Sequence, residues 1–193
     1  MNLLSSQPVV HHSQGMGCSE HDLMLALGQC FFDVVPLQYR TYCSLTARVA
    51  KSVLEHYGVG VSLLNCQLWC ISPATNYVVG FIDQVAAQPG KWNGHVICAT
   101  DEHFIDAAIF QLKRDFALAA QVPNVVVGER FRISSHAISR VDLADQMHLF
   151  WLEAAKSGKE LLPADPPALV EQFAAALIDH LDSKGVVTWQ KEL

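Results

Sequence analysis

The chain has 193 residues, 51% of them hydrophobic and 17% charged, with a formal net charge of -6. That balance supplies enough apolar material for one sizeable core and excludes a disordered chain. The acidic excess argues against nucleic acid or an anionic membrane surface as the main partner, and no apolar run reaches the roughly 20 residues of a spanning helix.

Residues 1–18 are polar and irregular, with the pair His11 and His12 and a GMG run at 15–17. They read as a flexible arm, without the basic and apolar regions of a secretory signal. Two adjacent histidines fit a solvated turn better than a metal site. Ser19 is a good N-cap, and with Glu20 and Asp22 in the first turn it predicts a helix from Glu20 to about Val34. Leu23, Leu27, Cys30 and Phe31 form its apolar stripe.

Pro36 breaks that pattern, and PLQYRTY leads into a second helix beginning near Cys43. Leu45, Val49, Val53 and Leu54 line one face, Ala47 and Ala50 allow close packing, and Gly58 suits the position after the C-cap. This helix is expected to be central and buried, with backbone N–H groups and the positive end of its dipole at the sulfur of Cys43, a setting that favours a thiolate.

Val59 to Ile71 reads as a strand that puts Cys66 and Cys70 on one face, as core thiols rather than metal ligands. A turn at 72–76 leads to a further strand from Tyr77 to Val85, and a loop delivers the chain to His95. His95 to Thr100 and His103 to Ala108 read as a hairpin. Alternation places His95, Ile97 and Ala99 on one face and Val96 and Cys98 on the other; Phe104, Asp106 and Ala108 share a face. His95 and Asp106 are thereby allowed to meet, with Asp101 or Glu102 as substitutes for the acid. Ile109 to Ala120 reads as a helix, Val122 to Val127 as a loop edge or outer strand because of Pro123, and His148 to Ala154 as a strand. Pro167 opens a last helix to about Ser183 with the stripe Leu169, Phe173, Leu177 and Leu181, and Gly185 ends it. There is no internal repeat and no glycine-rich phosphate loop. The six cysteines lie in apolar periodic segments, which points to reduced thiols and a cytoplasmic setting rather than a disulfide framework.

A thiol at a helix start, a histidine and an aspartate compose a known chemistry. The imidazole takes the thiol proton, the carboxylate holds the imidazole in one tautomer, and the thiolate attacks carbonyl carbon. The oxyanion that develops needs donors. The backbone N–H of Cys43 is one candidate, and Gln38, Trp92 and Asn93 are the side-chain candidates nearby in sequence.

The stretches YCSLTARVAKSVLEHYGV, NGHVICA and FIDAAIFQ, covering residues 41–111, resemble the papain-like and transglutaminase-like thiol superfamily. The likeness is greater to transglutaminase-like domains and arylamine acetyltransferases than to papain. The chain lacks the Cys-Gly-Ser-Cys-Trp signature of papain-type enzymes and the Arg-Gly-Gly-x-Cys pattern of the acetyltransferases, and Gln38 is one step nearer the cysteine than the usual papain-type glutamine. The resemblance implies an α+β fold with a cysteine-bearing central helix packed on an antiparallel sheet. It also implies catalysis by Cys43 as nucleophile, His95 as base and acid, and Asp106 as orienting group, on an amide, ester or thioester. The expected organisation is one domain over 1–193, with the C-terminal helix and tail (166–193) covering a sheet edge or face. No organic cofactor and no metal is implied; the expected partner is a peptide or small-molecule acyl substrate.

Two other classes compete. One is a superfamily relative with a degraded site that only binds a peptide or small molecule. The other is a metal protein using His95, Cys98, His103 and Asp106, which strand alternation opposes because His95 and Cys98 face opposite ways.

Overall fold

The computed structural model describes residues 19–80, 94–114, 122–131, 136–144, 146–154 and 165–185. The fold is mixed α+β. Helix α1 spans Glu20–Val34 and α2 spans Cys43–His56. Seven strands follow: β1 Ser62–Ser72, β2 Thr75–Val79, β3 His95–Ala99, β4 His103–Asp106, β5 Val126–Glu129, β6 Ala137–Asp142 and β7 His148–Glu153. Helix α3 (Pro167–Ser183) closes the order. Among the described residues no helix is long and apolar enough to cross a membrane.

Local chemistry accounts for the helix ends. Ser19 accepts from the Asp22 N–H, and the Asp22 side chain reaches back to the Ser19 N–H, a reciprocal cap that satisfies two orphan donors. Gly58 follows α2 at φ 82° and bonds back to the Glu55 carbonyl.

The strands form one antiparallel sheet in the order β5-β4-β3-β1-β7-β6, with β2 pairing the far half of β1. It curls until its ends nearly meet: Phe131 N–H bonds to the Ile138 carbonyl at 2.8 Å and Ser139 Oγ donates to the Glu129 carbonyl at 2.7 Å. The result is a nearly closed barrel. Alternation along each strand then makes two cores. Leu68, Ile97, Phe104, Leu149 and Trp151 fill the barrel interior. Val96, Cys98 and Ile105 face outward into the helix layer of Leu27, Phe31, Val49 and Val53.

Three expectations change. Over 109–120 the described part, Ile109–Arg114, is a 3-10 helix. Ile109 and Leu112, three apart, are both buried in the barrel core, the spacing at which 3-10 side chains align. The strand expected over Tyr77–Val85 ends at Val79, where Gly80 leaves the ladder at φ 112°; residues 81–85 lie outside the described set. Finally, α3 packs on α1 and α2 rather than on a sheet edge or face. Helix α2 is buried nearly all the way round, so it needs a neighbour on each side, the sheet on one and α3 on the other. The 1–18 arm also lies outside the described residues.

Candidate active site

Cys43 is the first residue of α2, where Tyr42 supplies no side-chain cap, so the first-turn N–H groups are not taken up by one. The residue is 6% exposed, and Sγ lies 3.6 Å from the Gly94 carbonyl, to which the thiol donates. Gly94 immediately precedes β3, so the thiol sits at the mouth of the strand that carries His95.

His95 opens β3 and is fully buried. Its Nε2 is 2.7 Å from Asp106 Oδ2, at the end of β4. Of the three acids adjacent to or in the hairpin, Asp106 is therefore the partner; Asp101 and Glu102 lie exposed in the turn. The other ring nitrogen, Nδ1, lies 2.8 Å from Gln111 Nε2 in the 3-10 helix. Asp106 is held in turn. Trp151 Nε1, from β7, donates to Oδ2 at 2.9 Å, and the Ala108 N–H donates to Oδ1 at 3.0 Å. A carboxylate with three donors is fixed in orientation and stays hydrogen-bonded inside the barrel.

Burial works against a charged imidazole here. The Asp106 carboxylate and its hydrogen bond, followed by a hydrogen bond with Cys43, outweigh it and push His95 up to about 10. Cys43 lies next to this histidine, its thiol on the carbonyl of Gly94, the residue before His95. Cys66, which pairs with His95 across β1 and β3, is buried with its thiol pushed well up, first by desolvation and then by the nearby Asp106 carboxylate. It is a core thiol, as is Cys70.

The geometry brings Cys43, His95 and Asp106 to one place. Gln38 is exposed in the 3-10 turn Leu37–Tyr39, and Trp92 and Asn93 lie outside the described residues. No protein-family model, curated protein or solved structure matches this chain. The reading of the site therefore stands on its own chemistry.

The four candidate metal ligands, His95, Cys98, His103 and Asp106, separate in the fold. His95 and Asp106 pair inside the barrel, Cys98 enters the helix-side core, and His103 bonds to Glu20 at 2.5 Å. Elsewhere among the described residues, Glu20, Glu102 and His103 bring ligand atoms within 4.8 Å of one another. Glu20 Oε1 already accepts from Thr100 Oγ1 at 2.8 Å and from His103 Nδ1, so hydrogen bonding explains that arrangement.

Two residues escaped sequence reasoning. Gln111 sits five positions beyond Asp106 on what reads as an ordinary helix, and Trp151 reads as one more core aromatic. A buried Trp needs a partner for its N–H, which was the available signal for the second. For Gln111 there was no such signal.

Proposed function

We propose that this protein is a cysteine-dependent hydrolase or acyltransferase with a papain-like or transglutaminase-like core, acting on an amide, ester or thioester. The observation that carries the reading is the buried His95–Asp106 bond at 2.7 Å with the Cys43 thiol on the carbonyl of Gly94, the residue before His95. In this reading His95 accepts the Cys43 proton and the thiolate adds to the substrate carbonyl carbon. The first-turn amides of α2, headed by the N–H of Cys43, receive the oxyanion. Collapse of the tetrahedral adduct expels the amine, alcohol or thiol, which takes the proton from His95 and leaves a thioester on Cys43. Water or an amine then attacks that thioester with His95 as base, and the C–S bond breaks to release the acyl product, the Cys43 sulfur recovering its proton from His95. Asp106 keeps Nε2–H directed at itself, so Nδ1 is the nitrogen that exchanges the proton. The substrate is a peptide or small acyl compound, and the setting is cytoplasmic.

The second reading, a binding module built on a closed site, draws support from the low exposure of Cys43 and His95. Alkylation separates the two. Under the enzymatic reading Cys43 reacts with iodoacetamide at mildly acidic pH ahead of the other cysteines, and His95→Ala slows it by about 100-fold, the scale of a lost acid–base partner. Peptide mapping by mass spectrometry reads the site. Equal, slow labelling of all thiols, indifferent to His95→Ala, would remove the enzymatic reading and leave the binding module.

A further inference from the structure

We infer that Gln111 is a positioning residue for His95, its side-chain amide holding the ring nitrogen that exchanges the Cys43 proton. This deepens the reading of the site given above and rests on it. Nε2 is committed to Asp106 at 2.7 Å, so Nδ1 is the one nitrogen left for the thiol proton, and Nδ1 is the atom that Gln111 meets at 2.8 Å. The amide suits both states of the ring. Toward neutral imidazole it presents Nε2–H as a donor, and toward imidazolium a half-turn presents Oε1 as an acceptor for Nδ1–H. An apolar side chain offers neither, and a free carboxylate offers only the second.

The two contacts are unequal. The bond from a charged Nδ1–H to a carbonyl oxygen is the stronger, so Gln111 favours the protonated ring. The geometry has a rigid origin. The Gln111 N–H bonds to the Ala108 carbonyl at 2.9 Å, and the Ala108 N–H bonds to Asp106 Oδ1, so Asp106 and Gln111 are set by one short tether and clasp the imidazole from its two nitrogens.

The test follows the His95 ring by NMR in full-length protein carrying 15N-labelled histidine, alongside the pH profile of Cys43 alkylation by iodoacetamide. Gln111→Leu should lower the His95 titration midpoint by about one pH unit. The acid limb of the alkylation profile should not move, because the ring is protonated there in both proteins; above the midpoint, one unit is a tenfold change in the protonation equilibrium. Gln111→Glu, which keeps the acceptor, should restore or raise the midpoint. A midpoint unmoved by either substitution overturns the inference. So does faster acid-limb alkylation in Gln111→Leu, which would make Gln111 a competitor that keeps the thiol from Nδ1. Should the midpoint shift as expected while Cys43 stays inert in every variant, the clasp is real and the thiol-enzyme reading is what fails. Circular dichroism guards against misfolding, and the Glu variant provides a second, near-isosteric route if Leu unfolds the protein.

Discussion

His95 has no contact with water, yet both of its ring nitrogens have polar partners. Burial alone would drive its proton off, but the Asp106 carboxylate, fixed by Trp151 and the Ala108 amide, prevails and pushes the histidine from 6.5 up to about 10. A raised folded value has a definite sign. Below about 6.5 both folded and unfolded chains carry the proton, and the stabilisation is complete. Between 6.5 and 10 only the folded chain keeps it, so stability falls as pH rises through that window. The Cys98 thiol, pushed by desolvation from 9.0 to about 12, adds a loss of the same sign, but only above about 9. The interval from about pH 7 to about pH 8.5 therefore isolates the histidine. Urea unfolding across it should show a midpoint that declines with pH, and the decline should flatten in His95→Gln. A wild-type midpoint that holds steady over the interval would mean that the ring takes its proton from within the site and not from solvent, and a midpoint that rises would mean that the folded chain does not keep this proton.

At the scale of elements, the end of β2 at Gly80 is tightly constrained. Gly80 has φ 112°, and a Cβ built on it would stand 2.7 Å from the Cys66 carbonyl oxygen and 3.0 Å from Gln67 Cα. Both atoms are backbone of the central strand and cannot swing aside. Gly80→Ala therefore faces a conformational penalty and a collision together, and is expected to cost about 2–3 kcal/mol. Gly185, at φ 61° in open space, is the internal comparison, where Ala should cost only about 1 kcal/mol. Denaturation midpoints of the two variants decide it; equal losses would show that β1 yields to the new methyl. The same elements mark how far the sequence could be read. The bounds of α1 were legible because Ser19 and Asp22 carry the cap themselves, and the facing of His95 and Asp106 was legible because alternation is a property of each strand alone. Gln111 was not, since the helical pattern over 109–114 does not distinguish a 3-10 helix from an α-helix. Trp151 was not, because only closure of the barrel brings β7 near β4, and no local pattern encodes that.

Over the whole molecule, three layers stack: the barrel, the pair α1 and α2, and α3 outside them. The stripe Phe173, Leu177 and Leu181 announced a helix with one buried face, but a stripe does not say what it meets, and here it meets helices. Polar contacts pin this outer layer to α2 at both ends. At the C-terminal end, Tyr57 Oη donates to Asp182 Oδ1 at 2.8 Å. At the N-terminal end, Asp165 accepts from Ser44 Oγ at 3.1 Å and from Arg48 Nε at 3.2 Å. The two Asp165 bonds are unequal in consequence. Arg48 is 34% exposed and stays in reach of water without Asp165, whereas Ser44 is 4% exposed and does not. Asp165→Ala should therefore cost about 1–2 kcal/mol, most of it through the hydroxyl, and Asp165→Asn, which keeps an acceptor for Ser44, less than half of that. A double-mutant cycle of Asp165→Ala with Ser44→Ala, read by urea midpoints, should return a coupling of about 1 kcal/mol. Ser44 also follows Cys43 in the first turn of α2, so the anchor that holds the outer helix holds the start of the helix bearing the thiol. Asp165→Ala should then slow Cys43 alkylation several-fold, and a variant that loses stability without any change in that rate would confine the anchor to the packing of α3.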